Sequence, residues 1–211
     1  KPFNMTIWYD TRGKGIDRRL LIKLYEYTDD IILLSKNHYG IKAIGTHLLY
    51  TDFDYCVVSY ADTLVYEDYF SKMKSFFNSN EKIACVGESW FEHNEESVFS
   101  DPEKYPDGIL MFSRDAINDI GSLSPSFYKC GNVMVEWFHR CLARGWNYAA
   151  TRGLYYVEFD QHSSYKEIDG IHQVIAENTK IYLKAKELGF SDYNWWTNNL
   201  LKEDYSCVNN P

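Results

Sequence analysis

An aspartate at the carboxyl end of a buried β-strand can offer its carboxylate to a metal ion in the cleft above a sheet. Asp62 meets that description, closing the run Tyr55-Cys56-Val57-Val58-Ser59-Tyr60-Ala61. Mg²⁺ and Mn²⁺ take oxygen ligands and are commonly shared between one or two carboxylates and the phosphates of a substrate. A metal at Asp62 would hold a diphosphate and stabilise it as a leaving group. The competing reading of the same residue is a strand-end Asp that caps the helix expected from Glu67. Two polar segments upstream could share such a cleft. One is Asn37-x-x-Gly40 with the Ala43 that follows, and the other is Asp10-Thr11-Arg12-Gly13-Lys14-Gly15. Arg12 can offset phosphate charge on an otherwise acidic chain, although the loop also reads as a solvated turn. Gly13-Lys14-Gly15 lacks the third glycine of a dinucleotide fingerprint, and no G-x-x-x-x-G-K-[ST] occurs.

These residues need a frame. Residues 5–9 form a short β-prone run before the first loop. Residues 16–27 carry Ile16, Leu20, Leu21, Leu24 and Tyr27 at helical spacing, with Asp17 in the first turn. The pattern then alternates: strand 31–34, helix 41–50, strand 55–60, helix 67–77, strand 83–86. Residues 88–106 are acidic and irregular, which in a compact domain suggests a functional loop. A strand over 109–112, a short helix over 114–120 ended by Gly121 and a helix over 133–144 closed by Gly145 at its C′ position come next. A strand over 155–159 and a helix over 171–188 stopped by Gly189 complete the pattern, and 191–211 is polar with a Trp195-Trp196 pair. Alternation up to about residue 120 predicts an α/β fold, with a mostly parallel central sheet and helices on both faces. In such sheets ligands bind at the carboxyl ends of strands, which directs attention to residues 10–15, 35–40 and 61–65.

The chain has 211 residues and a formal net charge of −8, from 30 acidic and 22 basic residues. That length suits one domain, or one with an appendage. The acidic excess argues against a nucleic-acid backbone binder, which needs a basic face. It leaves room for one basic pocket that takes a small phosphorylated ligand. The 18 Tyr, 12 Phe and 6 Trp rule out disorder. They fit either a Tyr-rich core or flat, half-polar surfaces that stack on sugars and bases. The longest aliphatic run is Ile31-Ile32-Leu33-Leu34, far short of the ~20 residues that span a bilayer, so no membrane span is expected. Cys56, Cys85, Cys130, Cys141 and Cys207 make an odd count with no C-x-x-C pair. That predicts a reducing, cytoplasmic setting with neither a disulfide framework nor a zinc site.

The stretch from Asn37-His38-Tyr39-Gly40-Ile41-Lys42-Ala43 to Asp54-Tyr55-Cys56-Val57-Val58-Ser59-Tyr60-Ala61-Asp62 resembles the core of GT-A-fold glycosyltransferases of the family 2 type. That family shows N-x-G, an alanine-bearing helix and an Asp-Tyr-led strand running into D-x-D. Tyr60-Ala61-Asp62 stands at the D-x-D position; the second, metal-touching aspartate is kept and Tyr60 replaces the first. Gly108-Ile109-Leu110-Met111-Phe112-Ser113-Arg114 is similar to the family's acceptor-side strand. Glu136-Trp137-Phe138-His139-Arg140, followed by Gly145-Trp146, resembles the helix that carries the general base of inverting members. Glu136 falls on the last acid of that pattern and Met134 on the usual base position. Tyr156-Val157-Glu158-Phe159-Asp160-Gln161-His162 is similar to the late strand whose histidine faces the metal or diphosphate. The likeness covers about residues 7–165.

The resemblance implies one GT-A-like domain over 1–190, with a nucleotide-sugar half over about 1–105, an acceptor half over about 106–190 and a tail or linker over 191–211. It implies a glycosyltransferase that moves a sugar from a nucleoside diphosphate, a UDP-linked hexose or deoxyhexose, to a glycan or glycoprotein hydroxyl with the help of Mn²⁺ or Mg²⁺. Asp10, Thr11, Arg12, Asn37, Tyr39, Tyr60, Ala61 and Asp62 would contact the donor, and Asp62 and His162 the metal. Glu136, and Asp107 after it, would take the acceptor's proton, because that role needs a carboxylate within hydrogen-bond reach. Trp90, Asp107 and Gly108 would meet the acceptor, Trp90 by stacking on a sugar face. Plainer readings stand beside these: His162 as a surface-loop histidine, Asp107 as a turn aspartate, Glu136 as an exposed helix acid and Trp90 as packing. The small size and altered D-x-D also resemble the glycosyltransferase domains of large algal-virus proteins. That likeness implies a monomer, or one domain of a longer viral polypeptide, in host-cell cytoplasm. The competing functions are a non-catalytic carbohydrate-binding domain and a pyrophosphorylase-like nucleotidyltransferase. The second needs a glycine-rich signature that Gly13-Lys14-Gly15 matches poorly.

Overall fold

The structure, a computed structural model, describes residues 4–10, 16–28, 30–34, 41–59, 63–65, 68–89, 97–99, 106–124, 133–151, 156–158 and 171–189. Over these residues the chain is mixed α/β. The elements in order are β1 (Thr6–Asp10), α1 (Arg18–Tyr25), β2 (Asp30–Leu34), α2 (Ile41–Tyr50), β3 (Tyr55–Val58), β4 (Thr63–Val65) and α3 (Tyr69–Ser79). Then come β5 (Ile83–Ser89), β6 (Ser97–Phe99), β7 (Pro106–Ser113), α4 (Arg114–Ile120), α5 (Val133–Ala143), β8 (Asn147–Thr151), β9 (Tyr156–Glu158) and α6 (Ile171–Leu188). None of the described helices is long and apolar enough to cross a membrane.

Local chemistry sets several of these bounds. Asp17 precedes α1 in an extended conformation, and its carboxylate accepts from the Arg19 and Leu20 amides at 2.6 and 3.3 Å. Those are two of the donors that a helix start leaves unpaired. At the end of α5 the chain turns through Gly145 at φ 74°. The Trp146 amide donates to Cys141 O at 2.8 Å and the Gly145 amide to Leu142 O at 3.0 Å. That is a Schellman closure, which places a residue in the left-handed region where a Cβ is strained.

Among the described residues the main sheet has five strands in the order β3-β7-β5-β8-β6. β5 and β8 are parallel, whereas β3–β7, β5–β7 and β6–β8 are antiparallel. β1 and β2 form a separate parallel pair, and β4 and β9 an antiparallel one. The expected mostly parallel central sheet is therefore corrected to a mixed sheet. The cause is the route from β5 to β7. β3 and β5 point the same way, as a helical crossover between them requires, and α3 lies between them in the chain. Among the described residues no helix lies between β5 and β7. After β6, which pairs with β8 at the far side of the sheet, β7 begins beside the point where β5 ended, with Ser89 opposite Pro106, and runs the other way.

Alternation along β7 divides the core. Ile109 and Met111 pack with Tyr69 and Met73 of α3. Leu110 and Phe112 pack on the other side with Leu48 of α2, Ile117 of α4, Trp137 of α5 and Ile181 of α6. Both faces of the sheet are thus covered by helices. On β5, Ala84 and Cys85 both join the second cluster. A register slip against β8 between Ile83 and Cys85 supplies the extra residue. The aromatic surplus enters here as packing: Phe112, Trp137, Phe138 and Tyr148 form a chain of ring contacts with centroids 5.3, 5.7 and 4.5 Å apart.

Candidate functional site

β3, β5 and β8 all finish at one edge of the main sheet, and β7 starts there. The register fixes this: Val58 lies opposite Leu110, Glu88 opposite Asp107 and, on its other side, Glu88 beside Thr151. The ladder between β5 and β7 shifts between Val86 and Glu88. Gly108 sits in that irregular stretch at φ 68°, a conformation that suits a residue without a Cβ. The small residue expected at position 108 thus has a backbone reason. Thr151 is buried, and its hydroxyl donates to Gly87 O at 3.2 Å, tying the ends of β5 and β8 together.

Glu88 was not among the residues singled out by spacing. It is half-buried, and desolvation raises its carboxyl from the ordinary range to about 7. The signal that could have found it is the one that found Asp62: an acid that ends an apolar run, here Ile83-Ala84-Cys85-Val86-Gly87.

The parallel pair of β1 and β2 matches Asp10 with Leu34. The chain therefore leaves both strands at the same end, toward residues 11–15 and 35–40. Antiparallel β4 and β9 match Thr63 with Glu158. Asp62 directly precedes Thr63, and His162 follows Glu158 by four residues, so the segments that carry the expected metal pair leave this ladder at one end. Thr11, Arg12, Asn37, Tyr39, Tyr60, Ala61, Asp62, Trp90 and His162 themselves lie outside the described residues. Among the described residues no group of three or more His, Cys, Asp or Glu is arranged to hold a metal ion.

Glu136 has a different setting from the one expected of an exposed helix acid. It is 0% exposed, and Arg140, one turn along α5, is 1% exposed. The Arg140 Nε donates to Glu136 Oε1, and its Nη2 donates to Oε2 at 3.1 Å. Nη1 and Nη2 also donate to Ile120 O and Ser122 O at 2.8 and 2.7 Å. The pair therefore clamps the end of α4 onto α5. Both carboxylate oxygens are held by the guanidinium, so in this structure Glu136 joins the packing of α5 against the end of α4. Arg114, the Arg of the acceptor-side strand pattern, closes α2: its Nη1 donates to Leu48 O at 2.9 Å and its Nη2 to Thr51 O, with the guanidinium 3.8 Å from the Phe53 ring centre.

The described cysteines are free and buried. Desolvation pushes the Cys56 thiol up to about 11 and the Cys85 and Cys141 thiols well above the usual range. They act as small apolar side chains. No protein-family model matches the sequence, and a search of curated proteins finds no match.

Proposed function

We propose that this chain is a glycosyltransferase that moves a hexose or deoxyhexose from a UDP-linked donor to a hydroxyl of a glycan, within one GT-A-like domain in a reducing, cytoplasmic setting. The observation that carries the reading is the convergence of three strand ends, β3, β5 and β8, with the start of β7 at one sheet edge. The β4–β9 ladder supports it, since it begins directly after Asp62 and ends shortly before His162.

In this reading the segments after β1 and β2, with Asp10, Thr11, Arg12, Asn37 and Tyr39, bind the nucleotide. Arg12 offsets phosphate charge on a chain of net charge −8. Asp62 and His162 are the oxygen and nitrogen donors that would hold Mn²⁺ or Mg²⁺. When bound there, such a cation supplies positive charge to the departing diphosphate. Tyr60 and Ala61 complete the donor contacts. Trp90 stacks on the sugar, and Asp107 and Gly108 meet the acceptor. The test is release of UDP from UDP-sugars with and without Mn²⁺, in the intact chain and in Asp62→Ala. Mn²⁺-dependent release that falls at least 100-fold in the variant supports the reading. Release that Asp62→Ala leaves unchanged refutes the role of Asp62. Formation of UTP from pyrophosphate and a UDP-sugar would replace it with nucleotidyl transfer.

A further inference from the structure

We infer that Glu88 is the group that takes the proton from the acceptor hydroxyl, a role that rests on the transfer function proposed above. Three features of the fold lead to it. Glu88 stands at the carboxyl end of β5, in the middle of the main sheet, with β7 on one side and β8 on the other. The residues before it on β5, Ile83 to Gly87, are buried. The side chain is thus carried by a rigid element rather than a loop, as positioned chemistry requires. Across the ladder from β7 its partner is Asp107, and from β8 it is the uncharged Thr151. Beside that pairing lies the irregularity at Gly108, of the kind that ends regular pairing next to functional sites.

The chemistry of the side chain agrees. Burial alone raises its carboxyl to about 7. A base is most effective when its pKa lies near the working pH. Among the described residues no ion pair reaches Glu88; a carboxyl half-withdrawn from water in that way is unfavourable for stability, and such groups concentrate where chemistry needs them. Glu136, a fully buried acid among the described residues, has both oxygens on Arg140.

The step balances as a single displacement. The acceptor oxygen forms a bond to the anomeric carbon while the bond from that carbon to the diphosphate oxygen breaks. The bonding pair leaves on the nucleoside diphosphate. The hydroxyl proton passes to Glu88 and from there to solvent. One displacement inverts the configuration at the anomeric carbon.

The experiment uses the full chain, Glu88→Gln and Glu88→Asp, with UDP-glucose, UDP-galactose and UDP-rhamnose as probes in the presence of Mn²⁺. UDP release is followed from pH 5 to 9, and donor binding by thermal shift. The expected result is a loss of at least 100-fold in Glu88→Gln with the donor-induced shift intact. The rise in rate through about pH 7 disappears in that variant, and Glu88→Asp restores part of the activity. Release by Glu88→Gln within threefold of the parent, or a pH limb near 7 that persists in it, overturns the role of Glu88 alone. A parent protein that no UDP-sugar stabilises fails at the earlier step, and the role of Glu88 falls with the donor reading.

Discussion

Glu88 and Glu136 are both acids withdrawn from water, and the fold treats them in opposite ways. Glu136 lies between α4 and α5 with its carboxylate gripped by Arg140, whose remaining donors satisfy Ile120 O and Ser122 O. Such a closed network is stable only as a whole, because breaking it strands a charge in the interior. Glu88, at the carboxyl end of the central strand β5, is half-buried, and desolvation is the cause that moves its carboxyl to about 7. Burial by itself therefore does not mark a site. The informative contrast is between an acid whose charge is locked by a partner and one whose charge is left adjustable near neutrality.

The largest expected effect belongs to the locked pair. Arg140→Ala removes the guanidinium from the buried Glu136 carboxylate and from Ile120 O and Ser122 O, and should lower stability by about 3–5 kcal/mol, read from urea melts. A loss below ~1 kcal/mol would erase the distinction between the two acids. Replacing both partners, Glu136→Leu with Arg140→Met, should recover most of the loss, since a packed apolar pair removes the stranded charge.

Next comes activity at the adjustable acid. Glu88→Gln should cost UDP release about 100-fold, equivalent to about 2.7 kcal/mol of barrier.

The same variant sharpens the comparison through pH. The folded-state pKa of Glu88, about 7, lies above the ordinary value of 4.5. The native state thus holds the proton more tightly than the unfolded chain. Stability from this group is full below about pH 4.5 and is lost as pH rises through 7. Glu88→Gln removes that loss, so it should be more stable than the parent at pH 8 by ~1 kcal/mol, after discounting for the exposed half of the side chain. At pH 4 the two should melt alike. Equal stability at pH 8 would mean that the carboxyl titrates like an exposed one.

The smallest effect is a backbone one, away from both acids. Gly145→Ala meets only Lys82 Nζ at 4.0 Å, so sterics are open, but φ is 74°. A loss of about 1 kcal/mol, or a drop of about 2–4 °C in Tm, should follow from the strained conformation alone.

Elements with strong local signals were legible in the sequence. α2 and α4 occupy the spans that apolar spacing and Gly121 mark, and Gly145 closes α5 as its position suggests. β8 was not legible, because Asn-Tyr-Ala-Ala-Thr offers no apolar alternation and owes its place to burial between β5 and β6. The direction of β7 depends on a long-range pairing that periodicity does not encode. The two acids illustrate the same limit. Glu136 and Arg140, four apart on a helix, look like an ordinary surface pair, and only the packing of α4 against α5 removes them from solvent. Glu88 looks like the start of an acidic loop, and only the extension of β5 to Ser89 makes it the end of a central strand.

Sugar transfer at this sheet edge is tested most directly by donor binding. Melting the chain with UDP-sugars, with and without Mn²⁺, should show one donor at about 100 times its Kd adding about 2.7 kcal/mol of stability. That is a rise of about 5–10 °C in Tm, present with the metal and lost in Asp62→Ala. Melting curves that no nucleotide sugar moves, with or without Mn²⁺, would contradict it.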